Sequence, residues 1–492
     1  MMFNRVAPIL LATIFTLFIG YIVSSNLEKG GSLHYDEFYS LERSHGFDKF
    51  GDWFSVYSEN EPSAKKPPLQ YWLNGLSMKF GLSDILALRL WSAVFFVGLL
   101  VVCGWTSFYL KQDNPWVIPA TILLAGSSVQ LVELARSGLL DVGMGFFLMT
   151  SLLTFFAART RPQLWLLCGL MVGLGSLQKA PVALLFIAIL LYVLKKKGDP
   201  DYQWSILRQN RYFNRGLWTA VGLFLIWPIV QSFKYGSGYI NVAIKKQMLN
   251  RFSPLREEAE SHSGALEWMD WLWNDLHWLA IVAGICVVAA VVFPRWRKDN
   301  ATFAYALICC LIILGFTLAS GKIYSRYLGI LTPILICVTV KVIADLVSWK
   351  PGIFIVSLPF FALSYNNIQQ TIHDEGENTY VFYRDRVAYL DHFRNDTDFV
   401  VINRRLIPPG AYGYFGKSTI PFRAYDSIKA HEKRKMLEDL AEMRGGEAIV
   451  GFDRLESRTQ IEQKFPGIEE LDNDGEFFVW RYRPPVKPRP AD

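Results

Sequence analysis

The chain has 492 residues, 52% of them hydrophobic, 15% aromatic and 19% charged, a balance too apolar for a water-soluble protein of this length. Its net charge of +6 would suit a nucleic-acid binder if gathered on one soluble face, but most basic residues sit in short loops between apolar runs, which excludes that class. The six cysteines, Cys103, Cys168, Cys286, Cys309, Cys310 and Cys337, all lie inside apolar runs without metal-ligand spacing, so no disulfide framework and no cysteine metal site is implied.

Arg5 opens an apolar run to Val23 that is long for a signal-peptide core and has no A-x-A cleavage site, so it reads as an uncleaved first span. Runs of helical length fall at about 6–25, 84–110, 116–133, 138–158, 162–178, 180–195, 216–234, 277–293, 301–319, 325–346 and 351–367, eleven in all. With the N-terminus in the cytoplasm, the inner loops hold Lys111, Arg159, Arg161, Lys195 to Lys197, Arg208, Arg211, Arg215, Arg295, Arg297, Lys298 and Lys350. The short outer loops hold only Arg136, Lys179, Lys322 and Arg326, as the positive-inside rule requires.

An odd number of spans sends the C-terminus outside. The expected architecture is a polytopic α-helical membrane domain, 1–368, with outer loops at 26–83 and 235–276, followed by a small soluble α/β domain at 369–492. In that domain 398–403, 448–452 and 477–480 read as strands, 428–443 as a helix and Pro484 to Pro490 as a disordered tail. The aromatic stretch Phe38 to Tyr57, with Phe47, Phe50, Trp53, Phe54 and Tyr57 among charges, suits helices lying flat on the outer leaflet.

Sorted by side, the unusual polar residues gather on the outer one. Asp36, Glu37, Lys65 and Lys66 lie in the first outer loop, and Glu133, Arg136 and Asp141 at the junction of the third and fourth spans. Lys179 sits in the turn Gln178-Lys179-Ala180-Pro181, Arg251, Arg256 and His262 in the second outer loop, and Lys322, Tyr324, Arg326 and Tyr327 after the ninth span. Ionisable groups at membrane depth are costly, so several from separate loops on one side imply a shared anionic ligand. Each also has a plainer reading: a solvated acid pair, interfacial anchors at Arg136 and Asp141, a snorkelling Lys179, an ordinary surface His262. Trp268, Trp271, Trp273 and Trp278 fit an interfacial belt, and Gly143 with Gly145 fits close helix packing.

The order Asp36-Glu37, Lys66-Pro67-Pro68-Leu69 with Tyr71-Trp72, Ala135-Arg136 with Leu140-Asp141, and Lys179-Ala180-Pro181 resembles the landmarks of GT-C-type polyprenyl-phosphate-dependent glycosyltransferases. Within that class the nearer likeness is to the lipid A aminoarabinose transferases, and the more distant to the protein O-mannosyltransferases. The likeness covers most of the first 368 residues. It implies sugar transfer, with inversion, from an undecaprenyl-phosphate type of donor to a glycolipid such as lipid A, another envelope glycan or a protein. It also implies a divalent metal held by an acid before the Lys-Pro-Pro and by a histidine resembling His262. Lys65 stands where that acid belongs, Tyr39 where an arginine is common, and Ala180 where a glycine is usual.

In such a reaction phosphate charge must be stabilised as the anomeric bond breaks, a task suited to Lys66, Arg136, Lys179, Lys322 and Arg326. Asp36, then Glu37 and Asp141, are the acids to take a hydroxyl proton or steady a cationic sugar ring. Tyr39, Tyr71, Arg251, Tyr324 and Tyr327 are candidate contacts to sugar and acceptor. A transporter or flippase would put its charges near mid-membrane, and a partner-binding scaffold has no need of eleven spans.

Overall fold

The computed structural model describes residues 3–28, 33, 35–236, 266–318, 324–373, 379–396, 398–419, 421–425 and 448–484. They fold into two compact units: residues 1–30 with 64–374, and residues 31–63 with 375–492. The boundary expected from polarity kept the first outer loop with the helices; the chain's own contacts place residues 31–63 with the C-terminal region instead.

The first unit is helical. In order it contains α1 (Phe3–Ser24), α3 (Leu69–Lys79), α4 (Asp84–Leu110), α5 (Val117–Gly126), α6 (Val129–Arg136), α7 (Asp141–Ala157), α8 (Leu164–Gln178) and α9 (Val182–Lys196). The one-turn α10 (Trp204–Leu207) precedes α11 (Arg211–Tyr235), and α12 (Glu267–Leu276), α13 (Trp278–Val292), the one-turn α14 (Pro294–Arg297), α15 (Asn300–Leu318), α16 (Leu328–Leu346) and α17 (Gly352–His373) complete it. All eleven apolar runs are thus helical, but one is not straight: the run at 116–133 breaks at Ser127-Ser128 into α5 and α6, bent by 70°. A second bend, of 113°, separates α12 from α13. Five of the described helices are long and apolar enough to cross a membrane, or up to seven if each bent pair is one span. The chain is a multi-pass membrane protein.

Buried side chains fill the space between these helices, with Phe96, Phe155, Phe156 and Tyr305 fully enclosed. Where α8 crosses α11, Gly169 and Gly216 bring the two backbones together so closely that a Cβ on either would meet the other helix's backbone. Helix ends are tied by residues remote in sequence. Arg136 Nη1 donates to the carbonyls of Val23 and Ser25 at 2.8 and 2.6 Å, and Arg89 Nη1 to Leu27 O at 3.2 Å, so two guanidinium groups hold the end of α1 and the chain just past it. At one end of the bundle Asp345 pairs with Lys111 at 3.0 Å and Lys341 at 2.5 Å, and accepts from Trp296 Nε1 at 2.8 Å.

The second unit joins α2 (Tyr35–Lys49) and the two-residue hairpin strands β1 (Tyr57–Ser58) and β2 (Glu61–Pro62) to α18 (Thr379–His392), β3 (Phe399–Asn403), α19 (Pro409–Phe415), β4 (Arg423–Tyr425), β5 (Ile449–Arg454), α20 (Arg458–Lys464), β6 (Glu469–Asn473) and β7 (Phe477–Tyr482). Strands β3 to β7 form one sheet in the order β4-β3-β5-β7-β6, parallel from β4 to β5 and antiparallel beyond. The three expected strands are β3, β5 and β7; the expected helix at 428–443 and the tail from 485 lie outside the described residues.

Five links stitch the loop into this domain. Leu33 N–H donates to Thr379 Oγ1 at 2.7 Å, and Lys49 Nζ to the carbonyls of Gly413 and Gly416, both at 3.1 Å. Asn60 Nδ2 donates to Ser418 O at 3.0 Å, and Arg423 Nη2 pairs with Glu61 at 2.9 Å. The aromatic residues expected against lipid largely pack on one another: Phe47 stacks on Trp53 at 5.2 Å and Phe50 on Tyr57 at 4.1 Å, while Phe54 stays 64% exposed. Phe38, Leu41 and Phe47 of α2 are fully buried, and Tyr383 and Phe415 supply the cover that lipid was expected to give Phe38.

Candidate functional site

The centre of the site in the first unit follows from a helical hairpin. Helices α7 and α8 run antiparallel through a short connection, so the start of one meets the end of the other. Asp141 is the first residue of α7 and Lys179 the C-cap of α8, each at the helix end whose dipole its charge suits. Lys179 Nζ lies 2.5 Å from Asp141 Oδ1, with the two side chains only 9% and 3% exposed. Lys179 also sits 4.9 Å from the centre of the Tyr327 ring. Such a pair is desolvated at a cost near its own attraction, so it is weak evidence for stability and better evidence for a role.

Tyr327 closes a single turn, Ser325–Tyr327, that leads into α16. Tyr324 meets it edge-on at 5.9 Å and carries the Arg326 guanidinium 4.5 Å above its ring. Asp141, Lys179, Tyr324, Arg326 and Tyr327 are therefore one connected group. Arg136 is buried, and one guanidinium nitrogen closes the end of α1, which makes it an organiser of the helix ends around this group.

Lys66, half-buried, leads through Pro67-Pro68 into α3, where Tyr71 is buried. Gln70, one turn on from Lys66, connects this segment to the hairpin. Gln70 Nε2 donates to Ser92 Oγ at 3.1 Å and to Leu139 O at 3.3 Å, and Ser92 Oγ donates to Leu139 O at 3.1 Å. Gln178 Nε2 donates to Gln70 Oε1 and to Leu140 O, the latter at 3.2 Å. Gln70, Ser92 and Gln178 are fully buried or nearly so, and sequence reasoning missed all three. The only signal was position: Gln178 directly precedes Lys179, and both amides stand in apolar surroundings.

Asp36, Glu37 and Tyr39 belong to the second unit, on the first turns of α2. Glu37 is buried and Asp36 half-buried; the Tyr39 ring packs edge-on to Tyr35 at 5.6 Å and lies under the Arg43 guanidinium at 5.1 Å. Burial pushes the Tyr39 hydroxyl well above the usual phenol range. Glu42, one turn further, is the most perturbed acid here: burial pushes it up to about 8, against the opposing pull of Arg43 and the Glu59 N–H. Arg251, His262 and Lys322 lie outside the described residues.

Among the described residues no three His, Cys, Asp or Glu side chains gather to hold a metal ion. Lys65 occupies the position of the acid that the family resemblance would need, and His262, the other ligand it implies, lies outside the described residues.

Residues 65–227 match the sequence family described as dolichyl-phosphate-mannose-protein mannosyltransferase. The fold matches the crystal structure of ArnT from Cupriavidus metallidurans bound to undecaprenyl phosphate, with a TM-score of 0.69 and 13% identity over 96% of this chain and 97% of that one. The apo form of the same protein matches at 0.68 and 12%, with the same coverage. The S. cerevisiae protein O-mannosyltransferase Pmt1-Pmt2 complex bound to the sugar donor gives 0.34 and 16% over 50% of this chain and 35% of that one. No curated protein sequence matches the chain. The chain has the fold of ArnT across nearly all its length, and residues 65–227 resemble the mannosyltransferase family in sequence.

Proposed function

We propose that this multi-pass membrane protein with a GT-C fold moves a sugar from a polyprenyl phosphate to an acceptor at the outer face of a bacterial inner membrane. The observation that carries the reading is the buried Asp141–Lys179 pair, set against Tyr327 and neighboured by Arg326. The undecaprenyl phosphate in the ArnT structure of matching fold supports the choice of donor lipid. As the anomeric bond breaks, negative charge grows on the departing phosphate. A lysine held in a water-poor site by one carboxylate is ready to meet it with its other N–H groups. Lys66 and Arg326 are the further cations assigned to that phosphate.

Asp36 takes the proton of a hydroxyl acceptor, or steadies the cationic ring when the acceptor is itself a phosphate. Displacement in one step inverts the anomeric carbon. The acceptor we assign is a lipid A-like glycolipid or another envelope glycan. A protein acceptor is the second reading, favoured by the mannosyltransferase family match.

The test is transfer by the purified full-length protein from undecaprenyl-phosphate-linked sugars, with lipid and protein acceptors followed by mass spectrometry. Lys179→Met combined with Asp141→Asn leaves no buried charge unpaired, so the protein should fold while transfer falls by about 10²-fold or more. Asp36→Asn should abolish transfer to a hydroxyl and only reduce transfer to a phosphate. Full activity in the Lys179→Met/Asp141→Asn protein would overturn the reading.

A further inference from the structure

The site holds a device that none of its charged residues supplies. Three segments that carry the candidate cations and acid are far apart in sequence: the Lys66-Pro67-Pro68 turn, the Leu139-Leu140-Asp141 entry to α7, and the Gln178-Lys179 exit from α8. Each touches one small polar cluster in an otherwise apolar interior. Gln70 takes the first segment, through α3, to Leu139 O; Gln178 takes the third to Leu140 O; the two amides bond to each other, and Ser92 of α4 anchors the group. Gln178 Oε1 finds no partner among the described residues, a cost that an apolar pair would avoid. Gly143, a turn into α7, leaves the room: a Cβ there would run into the Gln178 amide.

We infer that Gln70 and Gln178, with Ser92, are positioning residues that set Asp141 and Lys179 in register with one another and with the Lys66 turn. Amides suit the task because Gln178 donates twice while Gln70 both donates and accepts, so one bridge fixes two carbonyls and itself without adding charge beside the ion pair. The consequence for transfer rests on the proposed sugar chemistry; the consequence for local order does not.

The experiment uses the full-length protein in nanodiscs and reads backbone hydrogen exchange in peptides covering 64–72, 138–144 and 176–182 alongside transfer kinetics. Gln178→Glu keeps the shape and, as a carboxylate, donates nothing; exchange should rise in all three peptides together. Gly143→Ala should do the same by pushing the amide aside. Thr121→Val, which removes a buried bond to Ser107 elsewhere in the bundle, should leave all three unchanged. In Gln178→Glu, kcat should fall by about 10²-fold at neutral pH, the scale of a 1 Å misplacement. Its ratio to wild type should recover as pH falls, because the neutral acid regains one donor, a response that mere loss of packing would not give. Exchange changes confined to 176–182, or wild-type kcat in Gln178→Glu, would overturn the inference. If the wild-type protein transferred no sugar, the proposed function would fall, and the three-peptide exchange pattern would still decide whether the bridge orders the site.

Discussion

Glu42 lies inside the second unit with one oxygen on the Glu59 N–H and the other without a partner among the described residues. Its carboxyl, ordinarily near 4.5, is pushed up to about 8 by burial. The folded state therefore holds this proton where the unfolded chain has lost it, and stability must fall as pH rises between those values, with no contribution from this group to the slope outside them. Glu42→Gln keeps the shape and removes the titration. Its unfolding temperature should match wild type near pH 5 and exceed it increasingly toward pH 8, as scanning fluorimetry would show. An unchanged slope in Glu42→Gln would mean that another group titrates. At this scale the sequence was legible only where charge made it so. Asp141 and Lys179 stand out because a charge among apolar residues is costly, whereas Gln70 and Gln178 carry no charge and gain their meaning only from the carbonyls they meet.

Helix α6 has eight residues and would not hold its geometry by propensity alone. Ser128 caps it by accepting from Leu131 N–H at 3.1 Å, and donates to both oxygens of Asp275, which also accepts from Gln130 N–H at 3.0 Å. A carboxylate from the end of α12 thus completes the N-terminus of a helix nearly 150 positions away. Asp275→Ala should lower stability by about 2 kcal/mol, the worth of a charge-assisted bond together with the orphaned Gln130 N–H, measurable by thermal unfolding in detergent. No loss would show that Ser128 suffices. The positions of the helices were readable in the chain because apolar length and period are local properties. The break within 116–133 was not, although Gly126-Ser127-Ser128 carries the stop and the new cap, because an apolar run looks continuous until its cap finds a partner.

The division of the chain into units was the least legible feature. A change in polarity near residue 368 marks where the chain leaves an apolar phase, but it does not say which earlier segment folds with the polar region beyond it. Residues 31–63 find their hydrogen-bond partners at Thr379, Gly413, Gly416, Ser418 and Arg423. Removing 375–492 should therefore raise proteolytic cleavage within 31–63 by about tenfold or more, and abolish transfer, since α2 carries Asp36 and Glu37, the acids proposed above for the reaction. Continued protection of that loop in membranes, judged by limited proteolysis, would contradict this dependence. The same stitching sets an order of events during biosynthesis. Asp36 and Glu37 leave the ribosome more than three hundred residues before Thr379 does, so the loop must wait for its partners while most of the bundle is still being inserted. Maturation of the second unit thus hinges on the final quarter of the chain, and a stalled or prematurely terminated chain leaves behind an inserted bundle whose first loop, with Asp36 and Glu37, never finds its partners.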